Sequence, residues 1–227
     1  MGREPAVARG FAPGAAFDAR LPALTSPVPA RPRKPPTPTA PASTFESGGP
    51  SVRAWFASHG WQPWPFQAEA WQAFVDGESG LIQVPTGAGK TYAAYGGPLA
   101  SLIDESRGQP IDGLRVLYIT PLRAVSRDIE LALKLPVLEM GLPISVESRT
   151  GDTSSAVRAR QKTRLPNVLI TTPESLTLLL ARDEAARDFA SLTSVIVDEW
   201  HELLATKRGT QVELALARLR RLSPRVR

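Results

Sequence analysis

Two short clusters of residues have the types and spacing needed to handle a nucleoside triphosphate. The first is the run Pro85, Thr86, Gly87, Ala88, Gly89, Lys90, Thr91. Gly87 and Gly89 leave the backbone free to curl, so that successive amide hydrogens and the start of a following helix face an anion. Lys90 adds a full positive charge for the β and γ phosphates, and the Thr91 hydroxyl is a hard oxygen ligand for Mg²⁺. Thr86, Gly87, Ala88, Gly89, Lys90 and Thr91 are therefore the expected cradle for ATP, although the general phosphate-loop pattern has a further glycine where this chain has Val84. The second cluster is Val197, Asp198, Glu199, Trp200, His201. Adjacent carboxylates leaving an apolar run are expensive to bury unless a cation or a reaction uses them. Asp198 is expected to hold Mg²⁺ through water, and Glu199 to orient and deprotonate the water that attacks the γ phosphate. Lys90, Asp198 and Glu199 are the catalytic candidates.

Each cluster follows an apolar run: 81–84 leads into the loop and 195–197 into the carboxylates, with further runs at 116–120, 144–147 and 168–171. Runs rich in Val, Ile and Leu without alternation suit strands buried on both faces, and the helix-like stretches between them predict an open α/β parallel sheet with helices on both faces. Ser51 is placed to cap a helix that buries Val52, Trp55 and Phe56 and stops at Gly60, and Pro65 suits the first turn of a second helix ending at Gly77. In the last helix Thr210 and Glu213 have capping-box spacing, and Val212, Leu214, Leu216 and Leu219 supply its apolar residues. Its arginines (Arg218, Arg220, Arg221, Arg225, Arg227) suit either a solvated face or a nucleic-acid contact.

The composition narrows the function further. At 227 residues and 42% hydrophobic, the chain has material for one sizeable core. With no cysteine and two histidines, a disulfide framework, a zinc knuckle and a thiol nucleophile are excluded and a histidine-built metal centre is disfavoured. The net charge of +5 favours a polyanionic partner. No run approaches the ~18 to 20 apolar residues of a membrane span, so a soluble, cytoplasmic protein without a membrane partner is expected. Residues 1–49 hold about half of the 22 prolines and show neither helical nor strand periodicity, which predicts a disordered tail ahead of a domain at 50–227. Its stretch 31–38, basic and proline-rich, also suits a partner arm.

In these motifs, from about Ser51 onward, the chain resembles a DExH-box helicase of superfamily 2, and within it the Lhr (large helicase-related) family. The run from Asp198 to Leu204 and the ThrLysArgGlyThrGlnValGluLeuAlaLeuAlaArgLeuArg after it are most similar to the bacterial branch associated with DNA-ligase repair operons. The resemblance implies the first RecA-like motor domain of an ATP-dependent helicase. Within it the run Pro65 to Trp71 resembles the Q motif, in which Gln67 would bond the adenine edge, with Trp61 or Trp64 stacking and Trp71 in the core beside Phe74 and Val75. Thr120 to Val125 resembles motif Ia, Thr150 to Asp152 a loop neighbouring motif Ic, and Thr171 to Leu176 motif Ib. Pro121, Arg123, Thr150, Gly151, Thr172, Pro173 and Ser175 would then line the phosphates of one nucleic-acid strand; as residues alone, each run also fits a capped strand-to-helix turn. His201 would serve coupling between domains. ProLeuArgAla and ThrProGluSer depart from the ProThrArgGlu and ThrProGlyArg of DEAD-box RNA helicases, which tilts the partner towards single-stranded DNA or DNA/RNA duplexes.

The family also has a SerAlaThr-like motif III and a second RecA-like domain with arginine fingers, neither of which this sequence carries. In that fold the strand leading to motif III lies between the phosphate-loop strand and the DExH strand, so the domain is expected to be incomplete at its C-terminus, with the gap at the centre of the sheet. Two readings follow: the motor domain of a DNA-repair helicase that works with a missing second RecA-like domain, or a stand-alone nucleotide- or nucleic-acid-binding module. An RNA helicase domain is the remaining alternative.

Overall fold

The apolar runs near 116 and 168 become the central strands of a parallel sheet. β1 (Val116–Ile119) and β3 (Val168–Thr171) are buried at every residue, as strands covered on both faces must be. β4 (Ser194–Val197) flanks β1 and β2 (Val146–Arg149) flanks β3, giving the order β2-β3-β1-β4 with all pairs parallel. In the computed structural model the described residues are 51–85 and 87–227. The tail expected over 1–49 and Thr86 of the phosphate loop lie outside them.

Strand alternation divides the core. Val116, Tyr118, Val168 and Ile170 face a layer built from α1 (Val52–Ser58), α2 (Pro65–Val75), α3 (Lys90–Ser106) and α4 (Arg123–Glu139). Leu117, Ile119 and Leu169 face α6 (Pro173–Leu180), α7 (Ala185–Phe189), α8 (Trp200–Leu203) and α9 (Lys207–Leu222). α5 (Ser155–Thr163) covers the β2 edge, where Gln161 donates to the Ser148 carbonyl and Glu130 of α4 lies beside Ser148. Both groups blunt an edge that would otherwise recruit another strand.

Two glycines set the distance that matters most for the loop. A Cβ on Gly96 would lie 2.2 Å from Trp71 Nε1, and one on Gly97 would lie 2.7 Å from the Phe74 Cβ. Their absence lets α2 lie against α3, and Trp71 donates to the Tyr92 carbonyl at 2.8 Å. That close approach carries Gln67 of α2 to the start of α3.

The first two helices form as expected: Ser51 Oγ accepts from the Ala54 amide, Val52, Trp55 and Phe56 are buried, and Gly60 and Gly77 have positive φ. Val75, expected in the core with Trp71, is instead exposed. The 81–84 run makes no strand. Leu81 is 77% exposed, and among the described residues the outer edge of β4 is met only by Arg227, whose amide donates to Thr193 and whose carbonyl accepts from Val195. Strand propensity without a neighbouring ladder leaves the backbone to water, so the segment forms no strand. The expected strand at 144–147 begins two residues later, because Asn167 Oδ1 takes the Ser145 amide at 2.9 Å. α9 starts a turn before the predicted cap: Thr206, not Thr210, accepts from the Gly209 amide at 3.1 Å, and Leu214 faces solvent. Among the described residues no helix is long and apolar enough to cross a membrane.

Candidate functional site

Because all strands are parallel, their C-terminal ends open onto one edge of the sheet, and the loops with candidate residues emerge there. Gly87 and Gly89 both hold positive φ (83° and 89°), which frees the loop to turn into α3 with Lys90 as its first residue. Gly89 is constrained twice, since a Cβ there would also lie 2.8 Å from Gln67 Nε2. Gln67 is buried; its Oε1 accepts from the Trp64 amide at 2.9 Å and its Nε2 donates to the Gly89 carbonyl at 3.0 Å. The side chain thus ties the Q-like run to the phosphate loop, and each end retains hydrogen-bonding capacity for a further partner.

The three tryptophans in and beside the Q-like run divide as one core residue and two rim residues. Trp71 is fully buried. Trp61 is half-exposed but locked, stacked on His59 at 4.6 Å and packed edgewise on Trp55 and Phe56. Trp64 is 64% exposed and is the ring with a free face.

The carboxylates arrive on β4. The Asp198 amide donates to the Ile119 carbonyl at 2.8 Å, and Asp198 Oδ1 accepts from the Glu199 amide at 2.9 Å. Glu199 is left-handed (φ 46°), an uncommon conformation for a residue with a Cβ, and it swings the carboxylate towards α3. Lys90 Nζ lies 3.5 Å from Glu199 Oε1, and His201 Nδ1 lies 3.4 Å from Glu199 Oε2. His201 itself is exposed.

One participant escaped the sequence reading. Tyr118, in the middle of β1 and 1% exposed, places its hydroxyl beside the Asp198 carboxylate and the Thr91 hydroxyl. Burial, with the Asp198 charge adding to it, pushes the phenol far above its ordinary value. Burial also raises Asp198 above the usual carboxylate range, and the bonds from Tyr118 and the Glu199 amide offset part of that rise. The signal was a hydroxyl within an otherwise aliphatic run, readable only once the register places Tyr118 opposite Ile196, two residues before Asp198. Thr91 and Asp198 thereby share one partner and form an oxygen-only donor set of the kind Mg²⁺ selects. Among the described residues no group of three or more His, Cys, Asp or Glu is placed to hold a metal by itself.

The three other candidate loops sit on the same edge. The Arg123 guanidinium lies against Gly151, where a Cβ would be 2.9 Å from Nη1, so the loops after β1 and β2 meet. Arg158 donates to the carbonyls of Thr150 and Gly151 and fixes that second loop. Thr150 and Thr172 are buried, and their hydroxyls serve their own turns: Thr150 accepts from the Asp152 amide and Thr172 from the Ser175 amide. Pro121 and Pro173 are buried, Ser175 is partly buried, and Arg123 and Gly151 are exposed.

A family model described as DEAD/DEAH box helicase matches residues 64–227. Over 182 residues the chain is 42% identical to the Lhr helicase/probable uracil glycosylase of Mycolicibacterium smegmatis, a match spanning 75% of this chain and 12% of that protein. It is 39% identical over 183 residues to the ATP-dependent helicase Lhr-Core protein 2 of Thermococcus barophilus, covering 76% of this chain and 21% of that protein. The chain therefore spans a minor part of the length of these curated relatives. Among solved structures, Mycobacterium smegmatis helicase Lhr bound to ssDNA and AMP-PNP superposes with a TM-score of 0.68 at 39% identity, over 80% of this chain and 24% of that one.

Proposed function

The chain belongs to the DEAD/DEAH box helicase family, and from that premise we propose that Lys90, Thr91, Asp198 and Glu199 form one Mg²⁺·ATP site driving a motor that runs on single-stranded DNA. The observation that carries the reading is the 3.5 Å approach of Lys90 Nζ to Glu199 Oε1 across 109 residues of sequence. It supports reading the phosphate loop and the carboxylate turn as one site.

The residues divide the work as follows. Gln67 presents its remaining donor and acceptor to the adenine edge, beside the free face of Trp64. The amides of the loop at Gly87 to Gly89 and the N-terminus of α3 receive the phosphates. Lys90 exchanges its contact with Glu199 for phosphate oxygens, which releases the Glu199 carboxylate. Glu199 then takes a proton from the water whose oxygen attacks the γ phosphorus, while the bond to the β–γ bridging oxygen breaks and ADP departs. Thr91 and the Tyr118-held Asp198 would hold Mg²⁺, which supplies neutralising charge at the β and γ oxygens.

Arg123, the Gly151 backbone and the start of α6 at Thr172 to Ser175 are the proposed track for one strand, gripping phosphates without reading bases. The ssDNA in the M. smegmatis Lhr structure supports DNA as the substrate. A second RecA-like domain facing His201, a role in DNA repair and a cytoplasmic setting belong to the same reading. Titration with a fluorescent ATP analogue tests it. Lys90→Ala is expected to weaken Mg²⁺-nucleotide binding about tenfold to a hundredfold with unchanged circular dichroism. Equal affinity would defeat the assignment.

A further inference from the structure

Between the carboxylate turn and the loop at Thr172 runs a chain of rigid contacts that the nucleotide site does not need. It starts at Glu199, whose carbonyl accepts from the Glu202 amide in the single turn of α8. α8 ends at Leu203, fully buried, whose carbonyl accepts from both the amide and the hydroxyl of Thr206. Gly209 then seats the first turn of α9 on that same carbonyl: a Cβ there would be 2.1 Å from the Leu203 oxygen, so only glycine fits the joint. Arg208, held on this first turn, forks onto Glu174 with Nε to Oε1 at 2.6 Å and Nη2 to Oε2 at 3.3 Å. Glu174 stands in the first turn of α6, which the Thr172 hydroxyl caps by accepting from the Ser175 amide.

We infer that Arg208 is a positioning residue that links the carboxylate turn at Asp198–Glu199 to the nucleic-acid loop at Thr172–Ser175, so that occupancy of one site is transmitted to the other. The inference rests on the proposed reading of those two sites. Its physical basis is geometric. Arg208 and Glu174 are 37% and 39% exposed, and a pair so open to water adds little to stability. A two-pronged guanidinium–carboxylate contact nevertheless fixes direction as well as distance. Because α8 spans only four residues and the α8–α9 joint has no room for slack, a rotation of Glu199 as Lys90 leaves it shifts Arg208, and with it the amide-bearing start of α6.

The test uses the whole chain, a fluorescein-labelled oligo(dT) and AMP-PNP with Mg²⁺. In the wild type, saturating nucleotide is expected to change the oligo(dT) affinity by about fivefold or more, the lower range of coupling between linked sites. Arg208→Ala should bring that factor to about one, while the affinity for each ligand alone and the melting temperature stay close to wild type. The reversed pair Glu174→Arg with Arg208→Glu should restore the factor, which loss of general stability would not do. Arg220→Ala, on the exposed face of α9, should leave it unchanged. A wild type that binds both ligands without coupling, or an Arg208→Ala variant with the full factor, overturns the inference while leaving the nucleotide site intact. A wild type that binds neither ligand contradicts the proposed function and the inference together.

Discussion

Replacing Tyr118 with phenylalanine removes one oxygen from the centre of the sheet and nothing else, because the ring of Phe fills the same space. The hydroxyl it deletes belongs to a residue 1% exposed and lies beside Asp198 and Thr91, within reach of the Asp198 carboxylate. A hydrogen bond to a charged group contributes about 1.5 to 3 kcal/mol. Asp198 is incompletely buried and keeps the Glu199 amide as a partner, so water recovers part of that loss and the lower end is expected. At about 2 to 4 °C per kcal/mol for a domain of this size, the melting temperature should fall by about 3 to 6 °C. The functional effect is separate. With Asp198 no longer directed, the gain in nucleotide affinity on adding Mg²⁺ should shrink by up to about tenfold, while affinity in the presence of a chelator stays at the wild-type value. Differential scanning fluorimetry and a fluorescent-nucleotide titration, each with and without Mg²⁺, read the two effects. If the variant melts with the wild type and keeps the full Mg²⁺ dependence, the hydroxyl does not hold Asp198 and the argument for that residue fails.

Further outcomes follow from the packing and the buried phenols. Gly209→Ala places a methyl group 2.1 Å from a backbone oxygen that cannot rotate away, and despite the better helix propensity of alanine it should destabilise the chain by about 1 to 3 kcal/mol; a denaturant midpoint equal to wild type would contradict the joint described at Leu203. Tyr95 and Tyr118 are both held neutral in the fold by burial, with the Asp198 charge adding to the effect at Tyr118. The unfolded chain releases these protons near pH 10, so their contribution is constant below that value and stability is lost as pH rises through it, by up to about 2.7 kcal/mol per pH unit for two groups. Chemical denaturation at pH 8 to 11 checks the slope, which should become shallower in Tyr118→Phe.

The readable and unreadable parts of this chain separate by the range of the interactions involved. The phosphate loop and the carboxylate pair were legible because their chemistry is written in adjacent residues, β1 and β3 because strands covered on both faces leave continuous apolar runs, and β4, only partly buried, because it keeps such a run. The 81–84 run looks equally strand-like, but a strand exists only with a ladder partner, and local propensity says nothing about who stands beside it. β2 was displaced by a side chain 22 residues away, Asn167 on Ser145. Two threonines one turn apart competed for the cap of α9, and the outcome was decided by the fit of Gly209 on Leu203 rather than by capping-box spacing. Tyr118 and the Arg208–Glu174 pair have no local signature. The first needs the β1–β4 register and the second joins charges 34 residues apart.

The central claim is that the phosphate loop and the carboxylate turn work as one site, and a double-mutant cycle tests it most directly. Nucleotide affinity with Mg²⁺ is measured for wild type, Lys90→Ala, Glu199→Gln and the double variant. Side chains that touch each other and share one ligand should show a non-additive term of about 0.5 kcal/mol or more, so the double variant should lose measurably less, or measurably more, than the sum of the single losses. Additive effects within about 0.3 kcal/mol, or no loss in Lys90→Ala, would contradict a shared site and the account built on it.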